Sequence, residues 1–241
     1  MKIEIISDTH NHHNELFIQG GDVLISCGDF SEWGTKEEAK DFLDWIAKQD
    51  HKYKIIVPGN HDRYLETKEG LKYTKKFCKN NNIHLLIDSG VKINNINFWG
   101  SPVTPRFSYG WAWNRDITEN QANARKFRNV PGAIFIKEHW DLIPNDTDIL
   151  ITHTPPKNIL DRTISGINQG CPELRKKIDS LPLRCHFFGH IHEARGFKEK
   201  NQKFYFNCAN FDRNGNLRET TITYIFEKTT RLTYIYRILQ I

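Results

Sequence analysis

The chain has 241 residues, of which 38% are hydrophobic and 26% are charged, and its formal net charge is +5 at pH 7. This composition is typical of a globular protein and excludes a disordered or fibrous one, and the length fits one domain over residues 1–241. No apolar run approaches the roughly 18 residues that a membrane helix needs, so we expect no membrane partner.

The cysteines and the first residues both bear on the compartment. Five cysteines lie far apart and form no CxxC motif, which favours reduced thiols over a disulfide framework. The first apolar run, within residues 1–8, is interrupted by a charge, which is not typical of a signal peptide. We therefore expect a cytoplasmic protein.

Short apolar runs and helical patterns alternate along the chain. Apolar positions at helical spacing predict a helix over Lys36–Gln49, where Thr35 and Glu38 match a capping box, and further helices over Leu71–Lys79 and Pro172–Ser180. Runs rich in Ile, Val and Phe that end at turn-forming residues predict buried strands. In chain order these strands are Ile3–Ser7, Val23–Cys27, Lys54–Val57, Ile96–Trp99, Ile149–Thr152, Cys185–Phe188 and Phe204–Cys208. This alternation predicts an α/β domain.

Two later segments differ from this pattern. Residues 101–131 show no clean period but are rich in aromatic side chains, so we expect a long ordered loop of the kind that often carries function. The tail Thr221–Ile241 alternates strongly around a turn at Glu227–Thr230, which predicts a C-terminal β-hairpin at about residues 220–240. An exposed strand there would need covering, so a homodimer is one expected assembly.

Polar residues follow five of the predicted strands. Ligands bind at the carboxyl ends of the strands in open α/β sheets. One Asp or His in such a place is more often part of a turn or a satisfied polar group, but five strand ends with the same chemistry favour a shared site. The residues concerned are Asp8 and His10, Asp29, Asn60, His153, and His190 and His192.

The donor types at these strand ends indicate a metal centre. A set of nitrogen and oxygen donors without cysteine differs from a structural zinc site and suits catalytic Mn, Fe or Zn. Seven donors are too many for one ion with an open position, whereas two ions about 3.5–4 Å apart can share a bridging carboxylate. Two such ions activate a water and clamp the oxygens of an in-line displacement at phosphorus. The predicted chemistry is hydrolysis of a phosphate ester.

The same residues carry a family resemblance. The series Asp8-Thr9-His10, Gly28-Asp29, Gly59-Asn60-His61-Asp62, His153 and Gly189-His190-Ile191-His192 resembles the five-block signature of the calcineurin-like metallophosphoesterases. This resemblance implies two stacked mixed β-sheets flanked by helices, a four-layer α/β/β/α sandwich.

A closer resemblance covers nearly the whole chain up to about residue 210. Gly100-Ser101-Pro102, Trp111-Ala112-Trp113-Asn114-Arg115 and Thr152-His153-Thr154-Pro155-Pro156 are similar to the family's metallophosphoesterase-domain-containing subgroup, which resembles class III cyclic nucleotide phosphodiesterases. The chain departs from this subgroup over Phe211–Glu219 and in the final hairpin.

The resemblance also implies a ligand set and roles. One metal would be held by Asp8, His10, Asp29 and His192, and the other by Asp29, Asn60, His153 and His190, with Asp29 as the bridge. Two divalent ions (Mn, Fe or Zn, with Mn favoured in vitro) would be the cofactors.

The predicted catalytic residues are His61 and Asp62. His61 would face the phosphate and stabilise charge or protonate the leaving oxygen, because a histidine titrates near working pH. Asp62 would orient a neighbouring group. The predicted substrate-binding residues are Asn60, His61 and, from the 101–131 loop, Trp113 and Arg115, with Trp111 and Asn114 as further candidates for the pocket wall.

These features favour a phosphodiesterase acting on small substrates such as cyclic nucleotides through a metal-bridging hydroxide. The alternative is a phosphomonoesterase or protein phosphatase. The resemblance weighs against it, because protein phosphatases of the superfamily place an Arg shortly after Gly-Asp and a Glu after Gly-Asn-His, where this chain has Phe30-Ser31-Glu32-Trp33 and Asp62.

A nuclease is less favoured, since the chain has no length for a capping domain and no basic stripe, so a nucleic-acid partner is not expected. A non-catalytic scaffold is the remaining alternative.

Overall fold

Two six-stranded β-sheets form the centre of the protein in a computed structural model that describes residues 1–130, 132–218, 221–225 and 238–239. The strands of the first sheet are β1 (Lys2–Ile6), β2 (Gly21–Ser26), β3 (His51–Ile56), β4 (Ile83–Leu85), β13 (Ile222–Ile225) and β14 (Ile238–Leu239). Their order is β14-β13-β1-β2-β3-β4, with β1 to β4 parallel and the two C-terminal strands antiparallel.

The second sheet has the same mixed character. Its strands are β5 (Ser89–Ile93), β6 (Ile96–Ser101), β9 (Ile149–Thr152), β10 (Cys185–Phe188), β11 (Gly196–Lys200) and β12 (Lys203–Asn207). The order is β11-β12-β10-β9-β6-β5, and the four inner strands are parallel. A separate parallel pair, β7 (Thr104–Pro105) and β8 (Asn114–Arg115), lies in the segment after β6.

The helices cover the outer faces of the sheets. They are α1 (Lys36–Ala47), α2 (Arg63–Glu66), α3 (Lys68–Asn80), α4 (Glu119–Phe127), α5 (Ile136–Trp140) and α6 (Pro172–Ser180). None of the helices in the described part of the chain has the length and apolar character needed to cross a bilayer.

Three apolar layers hold the sheets and helices together. Alternate residues of the strands, such as Ile5 and Phe187, meet between the two sheets, because successive strand side chains point to opposite faces. The other face of the first sheet packs on α1 through Phe42, and the outer face of the second packs on α5 through Trp140. Burying each of these side chains contributes about 1.5–3 kcal/mol. The expected four-layer α/β/β/α sandwich is confirmed.

The start of α1 is fixed by local chemistry. The Thr35 hydroxyl accepts a hydrogen bond from the Glu38 backbone N–H at 3.2 Å, and the Glu38 carboxylate accepts from the Thr35 N–H at 2.9 Å. The expected capping box is therefore confirmed, although α1 ends at Ala47, two residues before the predicted boundary.

The expectation for residues 101–131 is wrong in part. In addition to β7 and β8, this segment contains α4, which begins after Thr118, whose hydroxyl accepts from the Gln121 N–H at 3.2 Å. The helix buries Ala122 alone, so it has no apolar stripe from which to be recognised.

The C-terminal hairpin is described only in its strands. Residues of β13 pair with β1 and with β14, Tyr224 lying opposite both Ile3 and Ile238. The expected turn at residues 227–230 lies outside the described residues, and the single domain over 1–241 stays a prediction.

Candidate metal centre

The seven predicted ligands come from the carboxyl ends of five strands that belong to both sheets. Strands β1, β2 and β3 of the first sheet and β9 and β10 of the second end beside one another at the same edge of the sandwich. The predicted ligands form two groups there, Asp8, His10 and His192, and Asp29, His153 and His190, and within each group the ligand atoms lie within 4.8 Å of one another. His10, Glu32 and His61 form a third group of this kind. Fold topology thus brings together residues that are far apart in the chain, such as His10 and His192, which are 182 positions apart.

Imidazole nitrogens and a carboxylate converge in the first group. The Nε2 atoms of His10 and His192 are 3.3 Å apart, and His192 Nε2 lies 3.5 Å from Asp8 Oδ1. Asp8 is fully buried, and its carboxylate accepts hydrogen bonds of 2.9 and 3.0 Å from the His190 backbone N–H. The carboxylate that belongs to the first group therefore also positions a residue of the second.

The second group is built around Asp29. His153 Nε2 lies 3.1 Å from Asp29 Oδ2 and 3.0 Å from the side-chain oxygen of Asn60. The other oxygen of Asp29 accepts from the His61 backbone N–H at 2.7 Å. All three residues of this contact are buried, at most 2% exposed.

The hydrogen bonds behind these histidines determine which ring nitrogen faces the centre. His153 donates from Nδ1 to the Cys27 carbonyl at 2.9 Å, and His192 donates from Nδ1 to the Phe211 carbonyl at 2.7 Å. The Nδ1 atom of His10 lies 3.1 Å from the Glu32 carboxylate. A neutral imidazole with its proton on Nδ1 presents a lone pair at Nε2.

These lone pairs make the centre suitable for cations. In the neutral tautomers, His10 and His192 point two lone pairs at each other, and His153 points one at the oxygens of Asp29 and Asn60. Acceptors that face one another in a buried site are unfavourable unless a positive charge lies between them. The donor set therefore fits divalent metal ions, with backbone carbonyls and a carboxylate as the outer groups that orient the ligands.

The pKa values of His10 and His153 are both raised, which shows that their surroundings favour positive charge. Burial opposes a charged imidazole, but Glu32, Asp29 and Asp8 outweigh it and raise the pKa of His10 to about 9. Burial likewise opposes charge on His153, and the adjacent Asp29 still raises its pKa to about 9. Metal ions at these positions would replace the protons.

Four of the predicted ligands have a left-handed backbone conformation. Asp8, His10, Asp29 and His190 have positive φ angles of 54°, 40°, 52° and 70°. Holding a non-glycine residue in this left-handed region of φ and ψ costs of order 1–3 kcal/mol. Such a conformation is kept only where the surrounding structure enforces it. The strain aims these four side chains away from their strands and towards the common edge.

Glycine is required where backbone approaches a carboxylate. A Cβ atom on Gly59 would lie 2.2 Å from Asp29 Oδ1, and one on Gly189 would lie 2.0 Å from Asp8 Oδ2. Both glycines of the sequence motifs thus leave room for a predicted ligand.

Asp62 lies behind the centre. It is fully buried and accepts four hydrogen bonds: from the backbone N–H groups of Asp29, Gly59 and Ser31 and from the Ser31 hydroxyl. Burial and the charge of Asp29 raise the pKa of Asp62 to about 7. It joins the loops that carry Asp29 and Asn60, and its orienting role stays a prediction.

A cleft of about 560 Å³ opens over the two groups. His61 lines it and donates from Nδ1 to the Glu32 carbonyl at 2.6 Å, so its Nε2 is free to act on a ligand. Phe107 and Trp111 form an aromatic wall, with the Trp111 ring 4.4 Å from the ring of His61. The turn 212–215 also lines the cleft.

Trp113 and Arg115 do not line this cleft, and the wall positions expected for them are taken by Trp111 and Phe107. Trp113 is 5% exposed and packs in the apolar layer beneath α1. Arg115 is 8% exposed, and its guanidinium is bound to Glu66. Both residues support the loop instead: Trp113 through its place in the apolar layer, and Arg115 through its bond to Glu66.

Sequence reasoning did not assign Glu32, Phe107 or the turn 212–215 to the site. Glu32 follows Asp29 by three residues, a spacing that could have drawn attention to it. Phe107 lies in no motif that points to the site. Its place in the wall follows only from the way the segment 101–115 folds.

Comparisons with known proteins bear on the family and the fold. Residues 1–194 match the family model described as calcineurin-like phosphoesterase. A UPF0046 protein of Caenorhabditis elegans is 30% identical over 95% of this chain and 77% of its own length. Human metallophosphoesterase domain-containing protein 1 is 32% identical over 85% of this chain and 64% of its own, so the chain spans less than two thirds of that relative.

Solved structures show the same fold at low identity. The phosphopantetheinyl hydrolase of Mycobacterium tuberculosis superimposes with a TM-score of 0.55 at 15% identity, covering 86% of this chain and 88% of that one. A Thermus thermophilus protein gives a TM-score of 0.57 at 13% identity with the same coverage.

Proposed function

Because the chain belongs to the calcineurin-like phosphoesterase family, we propose that it is a dimetal phosphodiesterase acting on small substrates such as cyclic nucleotides. The observation that carries the proposal is the convergence of acceptor atoms from five strand ends beneath one cleft. Hydrolysis of phosphoesters is the chemistry of the family, and the preference for diesters is the finer part of the proposal.

In this proposal Asp8, His10 and His192 hold one divalent ion, Asn60, His153 and His190 hold the other, and Asp29 is shared. The ions, of which Mn, Fe and Zn suit this donor set, would activate water for attack and neutralise charge on the phosphate. Asn60 contributes a neutral oxygen, which leaves the centre attractive to an anionic substrate.

His61 is the proposed acid. Its Nδ1–H is held by the Glu32 carbonyl, so protonation at Nε2 gives a donor on the wall of the cleft. Proton transfer from such a group to a leaving oxygen typically contributes 10²–10⁴-fold in rate. Contact with Trp111 limits the freedom of the ring and keeps Nε2 in place.

The cleft wall favours a diester over a monoester. Glu32 lines the cleft with a carboxylate whose pKa is lowered, mainly by its bond to His10, so it is negatively charged at neutral pH. A dianionic monoester is repelled by this charge more strongly than a monoanionic diester. The second ester group of a diester also finds apolar surface on Phe107 and Trp111.

The experiment compares hydrolysis of bis(p-nitrophenyl) phosphate with that of p-nitrophenyl phosphate in the presence of Mn²⁺. We expect a clear preference for the diester and loss of activity on removal of metal. With a 3′,5′-cyclic nucleotide, whose leaving group is an alkoxide that needs a proton, we expect a fall of about 10²–10⁴-fold in kcat for His61→Ala with bound metal unchanged. Asn60→Ala should require more Mn²⁺ for activity.

His84→Gln is the matched control, since His84 lies on β4 and outside the cleft. A preference for the monoester would favour the phosphomonoesterase or protein phosphatase instead. Bound metal with no turnover of either compound would contradict activity on simple diesters, and absence of bound metal would favour the scaffold.

A cytoplasmic location and a homodimer are also proposals. All five cysteines are free and buried, which supports a reducing compartment. Size-exclusion chromatography with light scattering tests the dimer.

A further inference from the structure

A second cavity of about 390 Å³ lies beside the cleft, and Trp111 lines both. One indole ring therefore separates the two spaces. Among the described residues, the charged side chains that line the second cavity are Arg63, Arg106, Arg115 and Glu66. Its lining carries more positive than negative charge, unlike the cleft with its Asp29 and Glu32.

The arginines of this cavity differ in what they bind. Arg115 forms an ion pair with Glu66 at 3.1 Å, and Arg106 forms one with the buried carboxylate of Asp116 at 3.0 Å. In the described part of the chain, no carboxylate pairs with Arg63, and its buried Nε has no hydrogen-bond partner. The cavity thus contains one arginine whose charge is not compensated by the residues that the structure describes.

Arg63 is nevertheless held in place. Its guanidinium carbon lies 4.6 Å from the centre of the Trp111 ring, a cation–π contact, and that ring is 4.4 Å from the ring of His61. Arg63 is the first residue of α2, two residues after His61, so its backbone is anchored beside that residue. A guanidinium stacked on one face keeps its N–H groups available at the edge, so little conformational entropy is lost on binding.

We propose that Arg63 binds a second anionic group of the ligand, one indole ring away from the phosphate that reacts at the metal centre. This rests on the proposed function, because it takes the centre as the place of the first phosphate. The ligand class is a nucleotide or similar molecule with two separate phosphate groups. A guanidinium matches phosphate because its planar fork can donate two parallel hydrogen bonds.

The test measures equilibrium binding by calorimetry with Mn²⁺-loaded protein. The probes are thymidine 5′-monophosphate and thymidine 3′,5′-bisphosphate, which differ by one phosphate group. We expect the bisphosphate to bind about tenfold tighter to the wild type, as one charge-assisted contact predicts. Arg63→Gln should abolish this difference and leave the Kd of the monophosphate within about twofold, while Arg63→Lys should restore part of it.

Lys72→Gln is the matched control, because it removes one positive charge from an exposed face of α3 and lines neither cavity. Equal affinity of the wild type for the two probes would overturn the proposal, and so would an unchanged preference in Arg63→Gln. An equal loss for both probes would also overturn it, since Arg63 would then act only by supporting Trp111. Failure of the proposed function is a separate result, namely no Mn²⁺-dependent hydrolysis of bis(p-nitrophenyl) phosphate by the wild type.

Discussion

Substitution of Gly59 by alanine tests whether the position of the Asp29 carboxylate limits activity. Gly59 does not need a positive φ, so alanine brings no backbone strain and acts only through its methyl group. That methyl would lie 2.2 Å from Asp29 Oδ1, 2.5 Å from the Asp29 backbone nitrogen and 2.8 Å from His153 Cε1, so the Asp29 backbone must shift together with its carboxylate. The carboxylate must retreat by about 1 Å to reach a tolerable contact, and a misplacement of this size costs about 10²-fold in rate.

Expressed as a free energy of activation, this loss is about 2.7 kcal/mol. The assay is kcat/KM for bis(p-nitrophenyl) phosphate at saturating Mn²⁺, with metal content and Tm measured on the same samples. Gly20→Ala is the control: it introduces a residue at φ +80° with an ordinary 3.7 Å contact, on the loop before β2 and so at the opposite end of that strand. The control should lose about 1–2 kcal/mol of stability and no activity. Activity of Gly59→Ala within threefold of the wild type would refute the reasoning, as would an equal loss in the control.

Three further substitutions have distinct expected results. Glu32→Gln weakens the group that orients His10, so a Mn²⁺ titration of activity should show an affinity about 10–100-fold lower. Glu4→Gln disturbs a buried carboxylate with several donors and should lower the free energy of unfolding by about 2–3 kcal/mol at pH 7 in urea melts. Although burial alone would raise it, hydrogen bonds lower the pKa of Glu4 below its ordinary 4.5, so this contribution is present above about pH 4.5 and should fade as the pH falls through the folded pKa. Arg115→Gln loosens the loop that carries Trp111, so KM should rise about tenfold with kcat nearly unchanged, as initial-rate kinetics can check.

The sequence was sufficient to predict the buried strands and the polar residues that follow them. Strands such as β9 and β10 read as apolar runs because they are buried on both faces, and they are followed directly by His153 and Gly189. The carboxyl ends of parallel strands meet at one edge, so the convergence of His153 and His190 could be anticipated from their positions alone.

Other features depend on contacts that leave no local pattern. The role of Arg115 could not be read from its motif, because Glu66 binds it from another element 49 residues away. Helix α4 is polar on nearly all sides, so it lacks the apolar period of a helix. The edge strand β4 is short and the edge strand β11 is rich in charge, so they lack the apolar pattern of a strand. The stacking of Arg63 on Trp111 likewise arises only from the fold.

Metal stoichiometry tests the central claim most directly. After equilibrium dialysis against Mn²⁺, elemental analysis of the wild type should give two ions per chain, His192→Ala should give about one, and Asp29→Asn, which alters the shared ligand, should lose both. These variants should keep their fold by circular dichroism, since the substitutions add no volume to the core. Absence of stoichiometric metal in the wild type, or two ions retained in Asp29→Asn, would contradict the account.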